Sequence, residues 1–125
     1  MKTLKASILA VLVLAATNFS MAQATAQQTA AERAQFQTER MTQELNLSEE
    51  QQARIADINF AIASKNEAVR KDLNFTPAQK QEALQGNIDG RYGLLKHILT
   101  AEQLQIHDQK TATRLSAGIK QTDEF

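Results

Sequence analysis

The chain has 125 residues, 42% of them hydrophobic, with 14 basic and 14 acidic side chains, one proline and no cysteine. That suffices for one small domain, and the even charge balance offers no basic stripe for nucleic acid. Without cysteine there is neither a disulfide framework nor a thiol nucleophile.

The first 22 residues read as a secretory signal peptide. Lys2 and Lys5 form a basic start, Ala6 to Ala16 is apolar apart from Ser7, and Ser20-Met21-Ala22 offers small residues for a cut between Ala22 and Gln23. The apolar run is too short to span a bilayer core of about 30 Å as a helix, so no membrane association is expected after cleavage. Cleavage removes Lys2 and Lys5, leaving 12 basic against 14 acidic side chains, a net charge of −2. Residues 23–29, rich in Ala, Gln and Thr and without a period, read as a flexible leader.

From Ala30 a helical period begins, with Ala30, Ala34, Met41 and Leu45 on one face and an end near Asn46. Leu47-Ser48-Glu49-Glu50-Gln51 follows. Its serine can cap a helix while Gln51, three residues on, reaches back to the cap's own N–H. The second helix is predicted from Glu49 to Leu73, about 37 Å at 1.5 Å per residue, with Ile55, Ile58, Ile62, Val69 and Leu73 as its apolar stripe. Phe75-Thr76-Pro77-Ala78-Gln79 repeats the pattern, with Thr76 as cap, Gln79 reciprocating and proline at the favoured first position.

The third helix carries Leu84, Ile88, Tyr92, Leu95 and Leu99, widened by Leu94 and Ile98. Leu99-Thr100-Ala101-Glu102-Gln103 then starts a fourth, where Leu99 and Leu104 form a hydrophobic staple across the Thr100 cap. Its stripe, Leu104, Thr111, Ala112, Leu115 and Ile119, is thinner, and residues 121–125 are expected to fray. The fold class is all-α: residues 30–120 form four helices in two antiparallel hairpins, with coiled-coil-like packing.

Some apolar residues fall off the stripes. Phe36 points about 140° from Met41 and is flanked by Arg33 and Arg40. Phe60 points equally far from Ile55, among Ala53, Ala56 and Ala63. Scattered surface apolar residues are normal. A second apolar surface for a dimer mate or a bound chain is the sharper reading, because a short chain without disulfides is marginally stable alone. Gly86, Gly90 and Gly93 share the face opposite Leu84. They mark either a close backbone approach or a weak helix.

No chemistry-bearing cluster emerges. His97 and His107 are ten residues apart on different helices, without the spacing of a zinc site. No glycine-rich loop follows a strand, and no serine sits in an elbow context. The reading is therefore no enzyme, no cofactor and no metal.

The pair Leu47-Ser48-x-x-Gln51 and Leu99-Thr100-x-x-Gln103 resembles the LTxxQ motif of the Spy/CpxP family of small exported bacterial proteins. The resemblance covers about Ala31 to Gln109. It implies a thin, cradle-like antiparallel homodimer in the periplasm, acting as an ATP-independent chaperone, a stress-response modulator or a metal-responsive protein. The chain differs in its slightly acidic mature charge and in lacking histidine- or methionine-rich segments, which argues against the metal-linked role. The leading expectation is a holdase for unfolded or misfolded client proteins. Phe36 and Phe60 would supply apolar contact, and Arg33, Arg40, Arg54 and Lys65 would attract acidic segments. The alternative is a regulatory module that binds an envelope-stress sensor kinase.

Overall fold

The computed structural model describes residues 28–125, so the expected signal peptide, the Ala22–Gln23 cut and most of the leader lie outside the described residues. Five helices follow in order: α1 Ala30–Leu45, α2 Glu49–Lys71, α3 Pro77–Leu95, α4 Ala101–Ser116 and a single turn, α5 Gln121–Glu124. Among the described residues every regular element is a helix, as the sequence pattern predicts. None is long and apolar enough to cross a membrane.

All three predicted capping boxes form, at Ser48, Thr76 and Thr100, each with its side chain accepting from the N3 backbone and the N3 glutamine reaching back. A fourth box, Thr29 with Glu32, starts α1 and corrects the placement of Thr29 in a formless leader. Asn46 ends α1 in the left-handed region, at φ 51°, a conformation that asparagine tolerates better than most residues. That reversal brings α2 back along α1 within three residues.

The buried positions follow a heptad-like spacing that includes polar residues. On α2 they are Ile55, Asn59, Ile62, Ala63 and Asn66, and on α3 Leu84, Ile88, Arg91 and Leu95. The expected α2 stripe thus needs correcting. Ile58 is only half-buried, and Leu73 is 96% exposed. Helix α2 stops at Lys71, and the Asp72 carboxylate accepts from the Asn74 N–H at 2.8 Å, a turn that carries Leu73 off the helix face. Leu94, Leu115 and Ile119 are likewise exposed rather than core.

The apolar core has two parts. Met41, Leu45, Leu47, Ile55, Leu95 and Leu99 pack at the end that holds the α1–α2 and α3–α4 turns. Ala34, Ile62, Ala63, Ile88 and Phe125 pack at the other end. Full burial of each leucine or isoleucine side chain contributes roughly 1.5–3 kcal/mol. Between the two parts lies a polar layer. Arg91 Nε donates to Asn59 Oδ1 at 2.8 Å, and Asn59 Nδ2 donates to Thr38 Oγ1 at 3.0 Å.

Helix α1 packs along α2 and α2 along α3, while the backbone of α4 approaches α1 more closely than α3. The second hairpin is therefore splayed. The expected fraying of residues 121–125 is overturned. Gly118 takes φ 84°, the chain turns back, and Phe125 is 1% exposed inside the second cluster. The three helical glycines of α3 have open space where a Cβ would stand, so no backbone approaches them among the described residues.

Candidate functional site

The two repeated motifs meet in space. Gln51 Nε2 donates to Gln103 Oε1 at 2.7 Å, and Gln103 Nε2 returns the bond to Gln51 Oε1 at 3.0 Å. Each amide nitrogen also donates to a carbonyl of the opposite turn, Gln51 to Ile98 at 3.1 Å and Gln103 to Leu45 at 3.2 Å. Each amide oxygen also accepts its own cap N–H, from Ser48 at 3.1 Å and from Thr100 at 3.0 Å. Both amides thereby use two donors and two lone pairs, their full capacity. Glutamate could cap equally well but could not donate, which explains glutamine at this step of the motif. Leu47 and Leu99 are buried in the same cluster just beneath. The central copy has no such partner: the bonds of Gln79 stay within its own cap. The motif is thus a clasp between two turns, a role beyond capping that local spacing does not reveal.

Several hollows open around this frame, three of them beside exposed aromatic or charged side chains. The first, about 360 Å³, lies between α1 and α2 and is lined by Ala31, Ala34, Thr38, Ala56 and Phe60, with Glu39 and Asp57 at its edge. Phe60 is 52% exposed, and Phe36, outside this groove, is 55% exposed. Arg54 and Lys65 are exposed but lie roughly 120–140° around α2 from Phe60. The cations and phenylalanines of the sequence reading therefore share the hairpin without forming one cluster. The charges beside Phe60 are acidic.

The second hollow, about 290 Å³, sits where α1 begins and α2 ends, with Arg33, Glu67, Arg70 and Lys71 around Ala63. Lys71 pairs with Glu67, whose carboxyl it holds below the usual range. The third, about 430 Å³, lies between α3 and α4 and is lined by Ile88, Tyr92, His107, Asp108, Ala112 and Leu115. Tyr92 Oη donates to Asp108 at 2.9 Å, which raises the phenol's pKa. His107 is buried, and that burial lowers its pKa, opposed by a 3.3 Å contact with Asp108. Among the described residues no group of three His, Cys, Asp or Glu side chains could hold a metal ion.

The most polar interior site is a crevice that α5 fills. Arg40, predicted as a free cation, is committed there: it pairs with Glu124 and donates to Gln37 Oε1. Gln37 Nε2 donates to the Glu124 carbonyl at 3.2 Å, and Arg70 donates to the Thr122 carbonyl. Arg114 bridges Glu44 at 3.1 Å and Glu124 at 3.5 Å. The guanidinium of Arg91, 3% exposed, stands 4.4 Å from the centroid of the Phe125 ring. Burial pushes Arg91 down to about 9; Glu124 opposes that shift, and Arg40 and Arg114 reinforce it. Sequence reasoning missed Arg91, Gln37 and Phe125. The only local signal is the 4-3-4 spacing of residues 84, 88, 91 and 95 on α3, which puts an arginine on the apolar face.

Helices clasped at their turns, with shallow grooves between them, define a small all-helical scaffold. Over residues 16–107, more than half of its length, the chain matches the family described as Domain of unknown function (DUF4890), and it belongs to that family. The match includes both halves of the clasp and stops before α5. No curated protein and no solved structure matches the chain.

Proposed function

We propose that this chain is an exported, ATP-independent holdase of the Spy/CpxP type, which binds partly unfolded proteins in the periplasm. The observation that carries the reading is the pair Phe36 and Phe60, two large aromatic side chains more than half exposed on the α1–α2 hairpin. One of them lies in a groove floored by alanines. Shallow apolar surfaces of this kind hold many unfolded segments weakly, and release is dissociation, so no nucleotide is needed. Arg33, Arg54 and Lys65 remain available to steer acidic segments at low salt, whereas Arg40 is occupied by Glu124. The paired LTxxQ-like motifs support the resemblance, and with it come export and a homodimer.

The test is light scattering of a chemically denatured client diluted without ATP, with sedimentation of the free protein alongside. Wild type should suppress aggregation near equimolar ratio and sediment as a dimer. A Phe36→Ala/Phe60→Ala double variant should lose most of the suppression while keeping its helical circular dichroism. Absence of suppression by the wild type refutes the reading.

A further inference from the structure

We propose that the crevice now holding Gln121–Phe125 is a peptide-binding site for segments in which a carboxylate side chain is followed directly by an aromatic one. Its own α5 occupies it in cis as a displaceable ligand.

The occupant cannot hold its own shape. Four residues make a single turn, the Lys120 cap donates and accepts no side-chain bond, and one turn is the costly nucleus of a helix rather than a stable one. The preceding strap, residues 117–120, is exposed throughout and reverses at Gly118. What fixes α5 is therefore the crevice.

The crevice recognises few features, and each is chemically distinct. Phe125 enters the apolar pocket of Ala34, Ile62, Ala63 and Ile88, beneath the guanidinium of Arg91. A cation over an aromatic face is favourable, more so when desolvated. Glu124 is gripped from two sides by Arg40 and Arg114. The two remaining bonds, from Gln37 and Arg70, go to backbone carbonyls that any residue supplies. The order acid then aromatic is thus read by side chains, while Thr122, also buried, is hydrogen-bonded only through its backbone carbonyl.

Charge complementarity points the same way. Four arginines, Arg40, Arg70, Arg91 and Arg114, surround a segment whose only side chain ion-paired to them is Glu124. An emptied crevice would leave Arg91 without its aromatic partner and hold an excess of positive charge. The present fit is also incomplete. Buried Arg40 Nε has no hydrogen-bond partner and Thr122 brings in a buried Oγ1 without one, so a segment that gave Arg40 Nε an acceptor and carried no unpaired hydroxyl would bind better. The inference does not depend on the holdase reading, because a crevice that takes one kind of segment could serve a regulator equally.

The experiment places a specific protease site in the strap between Gly118 and Gln121 of the full chain. After cleavage the segment stays only by its contacts. The probe is a fluorescein-labelled peptide, Lys-Gln-Thr-Asp-Glu-Phe, followed by anisotropy. It should bind the cleaved protein saturably and the uncleaved protein at least tenfold more weakly. The swapped peptide, Lys-Gln-Thr-Asp-Phe-Glu, should lose at least tenfold on the cleaved protein, as should the original peptide when Arg40→Gln is introduced. As a second route, uncleaved Phe125→Ala empties the aromatic pocket and should bind the probe at least tenfold better than uncleaved wild type. Equal binding of the two peptides, or no binding to either the cleaved protein or the Phe125→Ala variant, overturns the proposal.

Discussion

Replacing Gln103 by glutamate isolates the clasp from the cap. Glutamate retains an oxygen for the Thr100 N–H, and a Thr-x-x-Glu box caps as well as Thr-x-x-Gln. What disappears is the amide nitrogen, with its bonds to Gln51 Oε1 and to the Leu45 carbonyl. Two neutral hydrogen bonds are worth about 2 kcal/mol net. The incoming carboxylate oxygen also faces two acceptors in a partly buried place, where the Leu45 carbonyl is left unpaired, so the total cost is roughly 2–4 kcal/mol. A domain of this size has only about 5–10 kcal/mol in all, and the loss should be plain in a urea midpoint. Gln79→Glu is the matched control, because Gln79 makes the same cap bonds and nothing across a turn. It should change stability by less than about 0.5 kcal/mol. The readout is the difference between the two variants under the same urea titration by circular dichroism. If Gln103→Glu and Gln79→Glu destabilise equally, the cross-turn bonds contribute nothing and the clasp is wrong.

Phe125→Ala should cost about 3 kcal/mol in thermal or urea unfolding, since the ring is buried among Ala34, Ile62, Ala63 and Ile88; a neutral outcome would mean that α5 is not docked. His107 binds its proton less readily folded than unfolded, because burial outweighs the Asp108 contact. The unfolded chain therefore takes up more protons as pH falls below about 6.5, and stability drops until pH passes below the folded value, where the loss levels off. Urea midpoints across that window should show a slope that His107→Gln flattens. Leu73→Ser should leave stability within about 0.5 kcal/mol, because the side chain already faces water; a larger loss would put it back on the α2 stripe.

What could be read from the sequence was what depends on residues close in the chain. The boxes at Ser48, Thr76 and Thr100 rest on a three-residue interval, and each formed where it was read. Thr29-Ala-Ala-Glu32 carried the same signal but sat in a stretch whose composition read as leader. A count of apolar residues alone runs the α2 stripe through Leu73. That count skips Asn59 and Asn66, which hold core positions because Arg91 and Asn87 satisfy their side-chain oxygens. Such pairs join residues 32 and 21 positions apart, and no local period reports them. The same holds for residues 121–125. Their polar composition suggests solvent, and only the arginines of four other segments and the apolar pocket around Phe125 explain why they dock.

The polar layer of Arg91, Asn59 and Thr38 separates two apolar clusters that have no residue in common. Each cluster is then a separate unit of cooperativity, and the two are fastened differently. One is locked by covalently short turns and the glutamine pair, the other by a single docked turn at the end of an exposed strap. Opening the second costs the contacts of Phe125 and Glu124 and leaves the first whole. Backbone amides of Gln121–Phe125 should accordingly exchange with solvent well before those around Leu45 and Leu95. The molecule can loosen at one end while the clasped end keeps the helices in register.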